Sequence, residues 1–343
     1  MKYTQAFDFI KRLLCLSCNN YSTVLALVKH PFFSATNDSL DDVMSDIMEG
    51  RWLESERREQ LQRLKMMESS MMPLDEHRAH LASEERAAIV DWLFEIVSVF
   101  DKSTRSVFIA MAYLDKAISR SGEVRSMRPN VYLLILERCH FSHVDCCTIH
   151  LTQSVRRDQL QLLAATCLHI ASKVEDNLPL DVTNLYYSAD RTFQKEDIVE
   201  VEVRILQHLD WHLWSATVHD FVGLYNEYLG IGDNTYFWLS QYLSELALQS
   251  NLHLKYPLSL VGAAVVVLSR YWAGMTALCP VELESVSGYL FCELGECIVS
   301  LALHSNGGNP DLKVIPNRYM KSCRGSVASL ECPLPDLEMM KSK

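Results

Sequence analysis

Apolar residues return every three to four positions along almost the whole chain, and runs that alternate apolar with polar are nearly absent. A strand half-buried in a sheet needs the two-residue alternation, and an amphipathic helix needs the 3.6-residue return, so the pattern limits the chain to packed helices and the fold class is all-α. Ser83 is placed to cap a helix with Glu84 and Glu85 in its first turn, and Ile89, Leu93, Ile96, Val97 and Phe100 then form one stripe. A second helix follows from about Thr104 to Ile118. The stretch VRRDQLQLLAATCLHIASKVED places Leu160, Leu163, Ala164, Cys167, Leu168 and Ala171 on one face, and a helix from about Glu196 to Leu209 carries Ile198, Val201, Ile205 and Leu209. DWHLWSATVHDF (Asp210 to Phe221) reads as a boundary. Beyond it helices recur near 234–250, 257–270, 280–287 and 289–304, so two similar helical halves are expected. From about 325 the periodicity fades, and a mobile tail is expected.

Composition narrows the function classes. With 343 residues, 49% of them hydrophobic, the chain can bury a substantial core. Thirty-two Lys and Arg against 43 Asp and Glu give a net charge of −11, which argues against a nucleic-acid partner and for protein partners. The longest apolar run, Leu258 to Leu268, falls short of the roughly 20 residues of a membrane span, so no membrane partner is expected. Asp8, Lys11 and Arg12 interrupt the stretch where a signal peptide needs its apolar centre, so the chain is expected in the nucleus and cytoplasm. Eleven cysteines without framework spacing read mostly as reduced core thiols, and Cys15 and Cys18 form one CxxC with no second pair beside it. No phosphate-binding glycine loop or recognisable catalytic pair is present, so neither a cofactor nor an enzyme activity is assigned.

Charges on apolar faces carry more information. Glu202 lies three and four positions from Ile198, Ile205 and Leu206, so its carboxylate sits on or beside an apolar face and needs a partner. Lys173 closes its helix, where the helix dipole favours a cation whatever it contacts. Asp115 stands among Met111, Leu114 and Ile118, and Arg86 precedes the Ile89/Leu93 stripe; an Arg86 to Asp115 pair would satisfy both inside the bundle.

These residues resemble the cyclin family. ERAAIVDWLFEIVSVF, YLDKAIS, LQLLAATCLHIASKVED and EVEVRILQHLDWHL are similar to the first, second, third and fifth helices of a cyclin box, strongly over Ser83 to Phe221. Arg86, Asp115, Leu162, Lys173 and Glu202 match five positions that mark the box. HLKYPLSLVGAAVVVLSR and LKVIPNRYMKSCRGSVASL are similar to parts of a second box. The resemblance implies an N-terminal segment (1–82), a first box (83–215), a second box (216–323) and a tail (324–343). It also implies a regulatory subunit that binds and activates a cyclin-dependent kinase. Lys173 and Glu202 match the pair that meets the kinase's mobile regulatory helix, with Val174, Glu175, Leu206, Trp211 and Leu213 around them. LQLLAATC, the Pro-Leu after the third helix and LDWHLWSATVHDF look most similar to D-type cyclins, which implies G1 or G1/S control, whereas KVED is closer to A and B types.

Cyclins often hold Arg-x-Leu peptides in a shallow apolar groove, and the matching positions here are Glu85, Ala88, Ile89, Trp92, Glu95, Leu160 and Gln161. Glu85 stands where a methionine is usual and Ala88 replaces a larger residue, so weak docking is expected. Leu13 to Ser17 lacks the glutamate of the retinoblastoma-pocket motif, which puts that partner in doubt. Arg58 to Leu61 and Arg78 to Leu81 have the Arg-x-x-Leu form of degradation signals, a match that arises often by chance. Asp115 and Arg157 are 42 positions apart where cyclins usually have a short turn. The extra material, about 122–153, is either an insertion or an unremoved intron. Its Cys139, His140, His143, Cys146, Cys147 and His150 fit no standard zinc spacing, and no metal is assigned. A transcription factor IIB-like scaffold is the alternative reading; it would require a two-CxxC zinc ribbon and a basic surface.

Overall fold

The computed structural model describes residues 51–70, 81–123, 157–230, 234–307, 309, 311–330 and 333–335. The segment about 122–153 falls almost entirely outside them, as do the Cys15/Cys18 pair, Arg78 and the Cys139–His150 cluster. The chain divides into two compact units, Met1–Gln62 and Arg63–Lys343. Helix α1, Arg51–Ser70, begins in the first and ends in the second. Every regular element among the described residues is helical.

Within the second unit, five helices form a first bundle: α2 (Ser83–Val99), α3 (Thr104–Glu123), α4 (Arg157–Glu175), α5 (Val182–Ser188) and α6 (Lys195–His208). Helix α4 is the axle, packed against α2, α3 and α6. From Leu162 to Ser172 every residue of it is buried, rather than the single face that the spacing of its larger residues indicates. A central helix surrounded by others has no polar side to keep, and its small residues Ala164, Ala165 and Ala171 let neighbours approach. The second bundle repeats the plan with α7 (Val218–Leu229), α8 (Asn234–Gln249), α9 (Leu252–Lys255), α10 (Leu258–Trp272), α11 (Val281–Ser287) and α12 (Phe291–Asn306). Its axle is α10, buried continuously from Ser259 to Ser269. At Gly262 an added Cβ would come within 2.8 Å of the Phe221 Cβ, so glycine permits the close approach of α10 to α7. Among the described residues no single helix is long and apolar enough to cross a membrane.

Two local expectations are corrected. Ser83 is the first residue of α2 rather than its cap; Ala82 holds the cap position without a side-chain hydrogen bond. The segment beyond 325 is not loose throughout, since Val327 in a short 3₁₀ turn is fully buried and the Trp272 indole donates to the Pro333 carbonyl at 3.1 Å. A single valine driven into the core anchors this turn without any periodicity to announce it. The five described cysteines are free thiols; Cys167 and Cys297 are core residues as expected, whereas Cys292 and Cys323 are exposed.

The bundles are joined by charges as well as by packing. Arg105 on α3 bonds Glu175 at the end of α4 at 2.5 Å and Asp220 on α7 at 2.6 Å. Asp220 in turn completes a capping box with Thr217 that starts α7. A last helix, α13 (Val314–Tyr319), returns to the first bundle, where buried Asp91 on α2 accepts from the amides of Val314 and Ile315.

Candidate functional site

The charged end of α4 divides its work. Asp176 accepts from the Ser103 amide at 2.7 Å and the Ser106 hydroxyl at 2.9 Å, closing the N-terminal turn of α3. Glu175, expected at the outer surface, is half-buried against Arg105 in the joint between bundles. Lys173 points elsewhere: its ammonium lies 2.6 and 2.9 Å from the two carboxylate oxygens of Glu202 on α6. The lysine side chain is 42% exposed and the glutamate 15%, so the pair stands at the surface with the acid tucked behind the base.

Helical spacing puts Val199, Glu202, Val203 and Leu206 on one face of α6. Val199 and Val203 are exposed, as are Val174 and, in the turn after α4, Leu178. Leu206 is half-buried. Trp211 is 65% exposed and held at φ 61°, a left-handed backbone that an ordinary residue adopts at a cost. Leu213 is half-buried, and its carbonyl accepts from the Tyr113 hydroxyl at 2.6 Å, which fixes the linker to the first bundle. The result is a charged pair with exposed apolar side chains on the same face of α6 and at the end of α4. Val199, Val203 and Leu178 were not singled out from the sequence. The available signal was that both valines lie off the Ile198/Val201/Ile205 stripe and so had no core to enter.

His169 is a further member that the sequence left unmarked. Its Nδ1 donates to the Leu180 carbonyl at 2.8 Å, leaving Nε2 without a proton 3.8 Å from Glu202. Burial holds its pKa below the usual histidine value, so the ring is neutral and Lys173 is the cation facing Glu202. Ser172 accepts from the Leu180 amide at 2.9 Å, and together these bonds set the turn that carries Leu178.

Arg86 and Asp115 meet as the sequence indicates: 2.6 Å apart, with side chains 2% and 9% exposed. The guanidinium also donates to the Leu248 carbonyl of the second bundle at 2.9 Å. His253 approaches the other Asp115 oxygen at 3.3 Å.

Further along α2, Trp92 is half-buried and its indole donates to the Ser188 carbonyl at 3.3 Å. Ile89 and Leu160 are buried, Gln161 accepts from the Thr192 hydroxyl at 3.3 Å, and Ala88 and Glu95 are exposed. Glu85 is half-buried.

Two family models match the chain: the cyclin N-terminal domain over residues 123–214 and the cyclin C-terminal domain over 216–333. Together they span more than half of it. The chain belongs to the cyclin family. The first match begins at 123; α2 and most of α3 precede it in sequence and pack against the same helices. The G2/mitotic-specific cyclin-A of Patella vulgata is 26% identical over 255 residues, covering 74% of this chain and 52% of that protein. Cyclin-B1-3 of Arabidopsis thaliana is 27% identical over 244 residues, covering 71% and 51%. The chain thus spans about half the length of the curated relatives it matches. The X-ray structure of a viral cyclin from herpesvirus saimiri shares the fold with a TM-score of 0.52 at 18% identity, covering 70% of this chain and 94% of that one.

Proposed function

We propose that this cyclin is a regulatory subunit, not itself an enzyme, that binds and activates a cyclin-dependent Ser/Thr protein kinase in cell-cycle control, in the nucleus and cytoplasm. The observation that supports this most is the Lys173–Glu202 pair set at the edge of the exposed Val174, Leu178, Val199, Val203 and Trp211 patch. An interface of this kind combines apolar area with a charged register mark. Activation is conformational. A kinase needs its Lys–Glu ion pair assembled and its activation loop open, and a rigid partner that binds only that arrangement shifts the population toward it. ATP and magnesium belong to the kinase.

The stage of the cycle has two readings. D-type likeness in LQLLAATC and LDWHLWSATVHDF favours G1 or G1/S, while the A- and B-type relatives, some named G2/mitotic-specific, favour a later stage. The Trp92 groove is proposed to take Arg-x-Leu segments of substrates or inhibitors weakly, with Glu95 meeting the arginine. The transcription factor IIB alternative lacks a supporting feature. Capture of the protein from synchronised dividing cells, identification of the co-purifying kinase and assay of its activity by stage test the whole reading. A cyclin-dependent kinase recovered by the parent and lost with Lys173→Glu is the expected result; recovery unaffected by that change defeats the proposed interface.

A further inference from the structure

The turn after α5 and the first residue of α6 carry two cations in a particular setting. The Arg191 guanidinium lies 5.4 Å from the centre of the Tyr187 ring and the Lys195 ammonium 5.6 Å from that of Tyr186. The two rings meet edge-on at 5.3 Å, and Lys195 also donates to the Thr183 hydroxyl. Among the described residues neither cation is paired with a carboxylate, although the chain carries 43 acids against 32 bases. The turn itself is fixed. Asp190 and Arg191 are both left-handed, at φ 49° and 60°, and the Arg191 amide donates to the Tyr186 carbonyl at 3.0 Å. Ala189 and Phe193 on either side are buried. Arg191 is therefore an exposed charge on an anchored backbone, steadied by a tyrosine face.

The same turn walls the Trp92 groove: the carbonyl that holds the Trp92 indole belongs to Ser188, and the hydroxyl that meets Gln161 belongs to Thr192. Arg191 lies between these two contacts in sequence. Glu95 thus stands one turn along α2 from Trp92, and a base without a carboxylate partner among the described residues stands on the turn that contacts Trp92 and Gln161. We infer that Arg191 is a specificity-determining residue of this groove, selecting docking peptides that carry an Asp or Glu beside the apolar residues seated against Trp92, with Lys195 adding to the field. The inference rests on the groove reading above. Guanidinium is suited to the task because its fork meets a carboxylate through two parallel N–H bonds, and prior stacking reduces the ordering that binding demands.

Fluorescence anisotropy on the full chain tests it, using labelled peptides that share an Arg-x-Leu core and carry neutral, aspartate, phosphoserine or lysine flanks on either side. At low salt an aspartate flank is expected to tighten binding about fivefold over the neutral peptide, the size of one exposed ion pair, and added salt to remove the gain. Arg191→Glu should reverse the order of aspartate and lysine flanks, each compared with the neutral-flank peptide bound by the same variant. Neutral-peptide binding that is lost with Trp92→Ala but ignores flank charge and Arg191→Glu overturns this inference while the groove stands. A gain confined to phosphoserine overturns the choice of a carboxylate. Failure of every peptide to bind removes the groove reading and this inference together.

Discussion

Asp91 on α2 accepts a hydrogen bond from the Ile315 amide at 3.1 Å across 224 positions of sequence. Its other oxygen accepts from the neighbouring Val314 amide, so one carboxylate, 6% exposed, satisfies the first turn of α13. Asp91→Ala removes that acceptor and leaves two amides without it, at a cost of about 1–3 kcal/mol. The expected outcome is a lower midpoint in chemical denaturation and faster tryptic cleavage near Arg318 and Lys321. A variant as stable and protease-resistant as the parent removes Asp91 from this role.

Lys173 and Glu202 should separate binding from folding. Because the lysine is 42% exposed, its pair contributes at most ~1 kcal/mol to the isolated chain. Either charge reversal is expected to leave thermal stability within a few degrees and abolish kinase binding. The double exchange, Lys173→Glu with Glu202→Lys, restores the internal pair but presents the charges in the wrong order, so binding should stay lost. Recovery of kinase activity by the double exchange would show that the pair serves the cyclin alone.

Arg86 and Asp115 should behave in the opposite way. Both are buried, and removing one leaves the other uncompensated, at a cost of ~3–5 kcal/mol. Asp115→Ala is expected to reduce soluble yield and melting temperature before any effect on a purified complex. A stable Asp115→Ala protein that fails to bind kinase would move this pair to the interface.

Glu245 gives the chain a pH dependence. It is 1% exposed, bonded to Arg318 at 3.0 Å and to the Tyr319 hydroxyl at 2.8 Å. Burial nevertheless dominates and pushes its pKa up to about 7, with Arg318 and Tyr319 opposing the shift. The folded state therefore holds the proton more tightly than the unfolded chain, where the value is near 4.3. Its contribution is full below that lower value and is lost as pH rises to about 7. The stability of the parent relative to Glu245→Gln, measured by denaturation from pH 5 to 8, should fall as pH rises towards about 7 and level off beyond it. A difference that rises with pH would reverse the assignment.

How much of this was legible depends on the range of the interaction. Helices such as α8 and α10 follow from local apolar spacing, and the Arg86–Asp115 pair from charges standing on two apolar stripes. Contacts set by topology were not legible. Asp91 reads as one more acid on an amphipathic helix until α13 folds back, and Glu245 as an ordinary acid until Arg318 arrives. Glu175 follows Lys173 by two positions, which turns it about 200° round the helix and away from Glu202. Helix α5 is too short to show a period, so the turn that carries Arg191 had no signal of its own.

Trp92 decides whether the groove is a binding surface or merely a seam between α2 and the turn after α5. Its indole nitrogen donates to the Ser188 carbonyl, while the ring is half-exposed and Ile89, one turn back on α2, is buried. If the ring is a docking surface, Trp92→Ala removes apolar contact worth ~25 cal/mol per Å² from the complex and weakens Arg-x-Leu peptide binding at least tenfold. Trp92→Phe keeps much of the area and loses the Ser188 hydrogen bond, so it should retain most affinity while lowering stability by about 1 kcal/mol. The two variants thus separate the roles: affinity that follows ring area in titrations supports the groove, whereas loss of binding with Trp92→Phe in step with its loss of stability would mean that Trp92 only holds the turn in place.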